Sequence, residues 1–248
     1  MRAILTWHSV DESGSPISIP LDMFLRQVEW LASGRVRVVG VEELIELDDE
    51  VDAVALTFDD GFANFATLAA PRLRERRLPV TVFVVTGHAG QDNRWHGESP
   101  AGIPVLPLLS WDQLGQLQDS GVTLGAHTRT HPNLTTLERA AMEDEIATSA
   151  NEMERRLGRR PSGMAYPYGA VDTRVAETAG RTFRWACTTE FRVVGPRDAR
   201  SLLPRLDAWY FRDSRMFERW GSAGFRAWAW CRRQGRRAGA TARRLRGA

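Results

Sequence analysis

An α/β fold built on a mostly parallel sheet or barrel is what this sequence predicts, on three grounds. Strand-like apolar runs alternate with stretches of helical spacing along most of the chain, the pattern of βαβ units. The 248 residues, 43% apolar and 26% charged, suit one large soluble core with trimmings. Motifs rich in carboxylate and imidazole follow the strand-like runs directly, and in such folds chemistry gathers at the C-terminal ends of strands.

Residues 4–8 read as a first strand, followed by a polar loop with Gly14 and Pro16. Residues 20–32 carry Phe24, Val28 and Leu31 at helical spacing, and 36–39 form a short β-branched run. A buried strand over 54–58 stops abruptly at Asp59-Asp60-Gly61, a helix is expected over 64–76, and 79–85 is strongly β-branched. Residues 87–108 read as a long Gly- and Pro-rich loop, and 111–119 as a helix with Ser110 at its N-cap. A strand over 122–126, an amphipathic helix over 136–157, a strand into Tyr166-Pro167-Tyr168-Gly169, a helix over 171–179 and strands over 185–188 and 202–206 complete the pattern. The sequence shows no internal repeat.

Composition changes near Asp213, which divides the chain into a main domain over residues 1–212 and an extension over 213–248. No acid follows Glu218, whereas nine arginines do, interleaved with Phe225, Trp228 and Trp230 and preceded by Met216, Phe217 and Trp220. This composition suits a helix lying peripherally on an anionic membrane surface; the alternative is that its aromatics pack on the barrel. Nucleic-acid binding lacks a fold signature and is not expected. No run of about 18 apolar residues exists to span a bilayer. Two cysteines and an N-terminus without a signal-peptide pattern make a cytoplasmic location the expectation.

Asp59 and Asp60 are adjacent carboxylates at a strand end, pointing in different directions, so one can hold a metal while the other stays free as a base. Gly61 lets the backbone turn away; the same three residues also make an ordinary turn. His127 and His131, four residues apart after another strand, can converge on one cation. With one carboxylate they make a two-His, one-Asp set that leaves positions open for water and substrate. A pair of surface histidines is the alternative.

Taken in order, Thr57-Phe58-Asp59-Asp60-Gly61, His127-Thr128-Arg129-Thr130-His131 and Tyr166-Pro167-Tyr168-Gly169 resemble the first three motifs of the polysaccharide deacetylase family (carbohydrate esterase family 4, the NodB homology domain). The stretch from Leu109 to Leu114, leading through Gly121 to His127, resembles that family's approach to its histidine motif, and the likeness covers roughly residues 1–210. It implies a distorted (β/α) barrel with fewer than eight regular strand–helix units. It also implies a hydrolase that removes N-acetyl groups from an amino-sugar poly- or oligosaccharide or a lipid-linked sugar. Asp60, His127 and His131 would bind a divalent metal, zinc first, with cobalt or nickel as alternatives. Asp59 would be the general base, and the backbone N–H of Tyr168 an oxyanion donor, typically worth ~3 kcal/mol. Thr128 would shape the histidine loop.

Two departures accompany the resemblance. Many family members place an arginine near the third motif to orient the catalytic Asp, where this chain has Ala165-Tyr166; Arg205, on a late strand, is the candidate replacement. The late histidine that protonates the leaving amine is also missing, because no histidine follows His131. His8, at the end of the first strand, is the candidate acid, with a core histidine as the alternative. His88, His96, Trp95 and Trp111 are candidates to line a sugar cleft. The missing late histidine also keeps open a carbohydrate-binding homologue without turnover, and the same metal centre would suit an O-acetyl sugar or a cyclic amide.

Overall fold

The computed structural model describes residues 1–99, 101–211 and 215–246; of these, the side chains of His96, Arg215 and residues 237–246 lie outside the description. Ten strands are present among the described residues: β1 (Arg2–Trp7), β2 (Ser9–Val10), β3 (Ser18–Ile19), β4 (Arg37–Val39), β5 (Ala53–Phe58), β6 (Val80–Val84), β7 (Thr123–Ala126), β8 (Gly163–Ala165), β9 (Trp185–Cys187) and β10 (Leu206–Asp207). The helices are α1 (Leu21–Ala32), α2 (Val41–Glu46), α3 (Ala70–Glu75), α4 (Trp111–Asp119), α5 (Arg139–Leu157), α6 (Thr173–Thr182), α7 (Arg215–Glu218) and α8 (Ala223–Arg246). A π-helical turn over Phe65–Ala69 leads into α3. Ser110 caps α4 with a full capping box, as its position predicts.

All pairings in the main sheet are parallel, in the order β10-β1-β5-β6-β7-β8-β9, with β4 beside the first half of β5 and β6 beside its second half. Residues 203–207 join the two edges: Leu203 bridges Cys187, while Leu206 and Asp207 pair with Leu5 and Thr6. The sheet therefore curls into a distorted barrel. The last strand is displaced from 202–206 to Leu206–Asp207 because it is defined by pairing with β1, a tertiary fact.

Strand alternation sorts the side chains into two layers. Ala3, Leu5 and Trp7 of β1, Val54, Leu56 and Phe58 of β5, and Val80, Val82 and Val84 of β6 join the core under the helices. Ile4, Ala53, Ala55, Phe83, Ala165, Cys187 and Leu203 form a second core on the other face, inside the barrel. Continuing that period of two past the strand ends points His8, Asp59, His127 and Arg205 inward, at the C-terminal rim. Parity thus sets these four residues of the site.

The compositional break falls at residues 212–214, outside the described residues. Beyond it, Phe217, Phe225 and Ala229 are buried in the same core as the barrel helices, with Met216, Trp220 and Trp228 packed against it. Phe211 meets Phe217 at 5.0 Å and Trp228 at 5.3 Å, and Trp30 meets Phe217 at 4.8 Å between ring centroids. These contacts favour the alternative given for the extension: its aromatics pack on the barrel, and of them Trp230 stays exposed, at 60%. Among the described residues no helix is long and apolar enough to cross a membrane.

Candidate active site

β1 and β5 run in register with Trp7 opposite Phe58, so His8 and Asp59 emerge side by side. Asp59 is 2% exposed. Its two oxygens accept from the two terminal nitrogens of Arg205 at 2.6 and 2.7 Å, a bidentate charge-assisted pair. Arg205 is 1% exposed and is anchored further by the Thr188 carbonyl at 3.0 Å and the Thr6 and Thr57 hydroxyls at 3.1 and 3.3 Å. Its guanidinium carbon also lies 5.5 Å from the Phe83 ring centroid. The candidate replacement thus reaches Asp59. His8 does too: its Nε2 lies 3.8 Å from Asp59 Oδ2, with the ring 23% exposed. Burial alone would raise the Asp59 carboxyl, but Arg205 first, then His8 and His127, hold it below 3.8. A carboxylate so held is ionised, and its remaining lone pairs can take a proton.

Asp60 follows at φ 70° and Gly61 at φ 75°. Two successive residues in the left-handed region turn the chain sharply, and the pair of carboxylates separates: Asp59 faces Arg205, Asp60 faces the histidines. Asp60 Oδ1 lies 3.3 Å from His127 Nε2 and 3.4 Å from His131 Nε2. Of the five non-glycine residues with positive φ among the described residues, four are Asp60, Thr128, His131 and Tyr168. Backbone strain of this kind persists only where surrounding structure enforces it, and it concentrates at functional sites.

His127 sits at the end of β7 and its Nδ1 meets the Ala165 carbonyl at 2.7 Å. That bond places a proton on Nδ1 and turns Nε2 toward Asp60, where it donates when the ring is charged and can ligate when it is neutral. Burial works against a charge on His127, yet its bond with Asp60 and the charges of both aspartates raise its pKa on balance. His131, buried and less compensated by Asp60, falls to about 3, so it is neutral and able to ligate. The Thr128 hydroxyl accepts from the His131 backbone N–H at 3.0 Å, the loop-shaping role expected of it. Gly87 lets the neighbouring turn approach this loop: its N–H donates to the Arg129 carbonyl at 2.8 Å, and a Cβ there would sit 2.7 Å from that oxygen.

Ligand atoms of Asp60, His127 and His131 all lie within 4.8 Å of one another and are buried. Zinc bonds of roughly 2.0–2.1 Å in tetrahedral geometry space their donors about 3.4 Å apart, and the two Asp60–imidazole separations match. The donor set of one carboxylate oxygen and two imidazoles completes the fit. His131 Nδ1 is buried without a hydrogen-bond partner among the described residues, and its ring is held instead by Trp95, stacked at 4.6 Å, and Tyr168, edge-on at 4.7 Å. Trp95 is therefore a buried buttress, with His88 against its other side at 4.9 Å. Trp111 packs away from the site, under Arg156. Tyr168 is 56% exposed, on the rim beside His131.

Two residues of the site escape a reading of the sequence. Glu145 of α5 accepts from the backbone N–H groups of Arg129 and Thr130 at 2.9 and 2.8 Å and from the Thr130 hydroxyl at 2.7 Å, which fixes the histidine loop. Nothing in a helix sequence distinguishes it from other surface acids. Asp207 lies opposite Thr6 in the β1–β10 pairing. Burial raises its carboxyl, and the nearby His8, then the Trp209 backbone N–H and Arg236, partly offset that rise. Its spacing of two from Arg205 on a strand was the available signal.

Comparison with known proteins agrees with this geometry. Residues 47–182, more than half of the chain, match the model of the family described as "Polysaccharide deacetylase". The chain belongs to the polysaccharide deacetylase family. A poly-beta-1,6-N-acetyl-D-glucosamine N-deacetylase of Staphylococcus aureus (strain MRSA252) is 24% identical over 203 residues, covering 76% of this chain and 67% of that protein. YxkH of Bacillus subtilis (strain 168) is 23% identical over 193 residues; the match covers 75% of this chain and 64% of YxkH, under two thirds of its length. Among solved structures, IcaB from Ammonifex degensii superposes with a TM-score of 0.73 at 23% identity, over 84% of this chain and 94% of that one. The Streptococcus pyogenes deacetylase PplD in complex with acetate gives 0.70 at 22%, over 83% and 91%. These likenesses establish the fold of this polysaccharide deacetylase family member as a distorted barrel.

Proposed function

We propose that this chain hydrolyses the N-acetyl group of an amino sugar in a saccharide chain. Asp60, His127 and His131 would hold a divalent metal, zinc first, with cobalt or nickel suited to the same donors. When bound, the ion supplies Lewis acidity, polarising the acyl oxygen and acidifying water. Everything else falls to the chain itself. Asp59, kept ionised by Arg205, accepts a proton as water adds to the amide carbonyl carbon. The Tyr168 backbone N–H, on the strained turn beside His131, donates to the oxygen that becomes negative. The C–N bond then breaks, His8 gives its proton to the departing nitrogen, and acetate and the free amino sugar leave. Asp207 stands behind His8 as a positioning residue. Arg205 aligns Asp59 without touching substrate.

The observation that carries this reading is a second, unligated carboxylate. Asp59 is buried against Arg205 and 3.8 Å from His8, next to the Asp60–His127–His131 cluster, and metal storage or sugar binding alone has no use for it. The S. aureus relative, named for an N-deacetylase activity, supports the same substrate class. Asp59→Asn tests it: metal binding should persist while metal-dependent acetate release from an N-acetylglucosamine oligomer falls by about 10²–10⁴. Acetate release undiminished in that variant would exclude Asp59 as the base.

A further inference from the structure

Beside the catalytic centre a groove of about 1730 Å³ runs from Tyr168 and Gly169 between α6 and the 189–201 loop to α8. Its size exceeds the roughly 300–1,000 Å³ of a small-ligand pocket, so it has room for sugar rings beyond the one that reacts. The catalytic roles above use none of its far wall. That wall is made by the arginines of α8, over the rings of Tyr210 and Trp228.

Its charges are not equivalent. Arg192 is satisfied by Glu190 and by Asp198, and Arg233 by Glu190. Arg232 and Arg236 make no such ion pair among the described residues. The Arg232 guanidinium carbon lies 4.5 Å from the Tyr210 ring centroid and 5.8 Å from that of Trp228. Arg236 lies 5.6 Å from Tyr210 and 5.9 Å from Phe191, and donates to the Tyr210 hydroxyl at 3.2 Å and the Thr189 carbonyl at 3.3 Å, both neutral acceptors. Guanidinium groups laid on aromatic rings are held in place while N–H edges remain to fork onto a planar oxyanion. The α6 wall opposite offers an exposed Glu177 instead. Positive charge without an ion pair among the described residues thus lies at Arg232 and Arg236, on a stacked platform along the α8 wall, and at the exposed Arg197 of the 189–201 loop.

We infer that the groove takes a saccharide bearing an anionic group, phosphate or carboxylate, which Arg232 and Arg236 hold while an N-acetyl group lies at Asp59. The inference rests on the deacetylase reading and narrows its substrate to acidic saccharides. A wholly neutral chain would leave Arg232 without a counter-charge and Arg236 with only Asp207 near it.

The test uses the full-length, metal-loaded protein and three probes: an N-acetylglucosamine tetramer, the same tetramer with a reducing-end phosphate, and the same tetramer ending in a glucuronate. Binding is read by calorimetry and turnover by acetate release. At least one anionic probe should bind about tenfold more tightly than the neutral one at low salt, with the advantage shrinking at high salt. Which probe gains tells phosphate from carboxylate. In Arg232→Gln/Arg236→Gln the ratio of anionic to neutral affinity should fall to about one; Arg232→Lys/Arg236→Lys should keep part of it, because charge remains and the fork is lost. Equal affinity for all three probes in the unmodified protein, or a preference unchanged in the Gln variant, would overturn the inference. A preference in binding with no acetate released from any probe would support it and instead refute the deacetylase reading.

Discussion

Replacing Arg205 by methionine tests whether the site depends on one buried ion pair. Arg205 and Asp59 are both almost wholly shielded from water, and the pair is bidentate at 2.6 and 2.7 Å. Removing one partner of such a pair leaves an uncompensated buried charge, at a cost of about 3–5 kcal/mol. For a chain of this size each kcal/mol moves the melting temperature by about 2–4 °C, so Arg205→Met should melt about 6–20 °C lower at neutral pH. Asp59→Asn/Arg205→Met should recover much of that loss, since both charges are gone. The pH dependence has a definite sign. In the intact protein the Asp59 carboxyl lies below 3.8, so its contribution is complete above that value and is lost as pH falls through the lower native pKa. Without Arg205, the desolvation that opposes ionisation is no longer outweighed by its main partner, and the carboxyl rises. The variant should then approach the intact protein in stability as pH is lowered from neutral toward 5. Calorimetric melting of the metal-free proteins across that range measures it. A loss under about 1 kcal/mol, or a gap that widens on acidification, would refute the reasoning.

Glu145→Ala removes the carboxylate that accepts three hydrogen bonds from the histidine loop and should weaken zinc affinity by about 10–100-fold in a chelator competition; unchanged affinity would mean the loop holds itself. Phe225→Ala takes a fully buried ring from the core shared by α8 and the barrel, and should lower unfolding free energy by about 3–5 kcal/mol in a denaturant titration. If α8 were an independent appendage, the main transition would not move.

The Asp60, His127 and His131 motifs were legible because each follows a strand-like run; parity along the strand turns Asp59 and His127 inward, while Asp60 and His131 are brought to the same place by left-handed backbone at φ 70° and 61°. Even so, two expectations needed three-dimensional facts. His8 became a neighbour of Asp59 through the register of β1 on β5, and Arg205 through the strip of residues 203–207 that closes the barrel. The sequence marks a strand there, over 202–206, but not that it bridges Cys187 at one end and pairs with β1 at the other. Glu145 was invisible because its partners are backbone N–H groups of a distant loop, which leave no mark on composition. The sequence left the α8 aromatics with two alternatives for a related reason: a basic, tryptophan-rich helix has the same composition whether its apolar face meets a membrane or Phe211 and Trp30. Short α2 and the π-turn over Phe65–Ala69 are likewise set by packing against β5 and α3 rather than by a periodic pattern.

The proposed hydrolysis requires one cation shared by Asp60, His127 and His131, with Asp59 outside its coordination sphere. X-ray absorption and anomalous diffraction on the zinc-loaded protein address this directly. One ion with two imidazole nitrogens and one Asp60 oxygen at about 2.0–2.2 Å is the predicted result, unchanged in Asp59→Asn. An ion coordinated by Asp59, or zinc bound without either histidine, would contradict it.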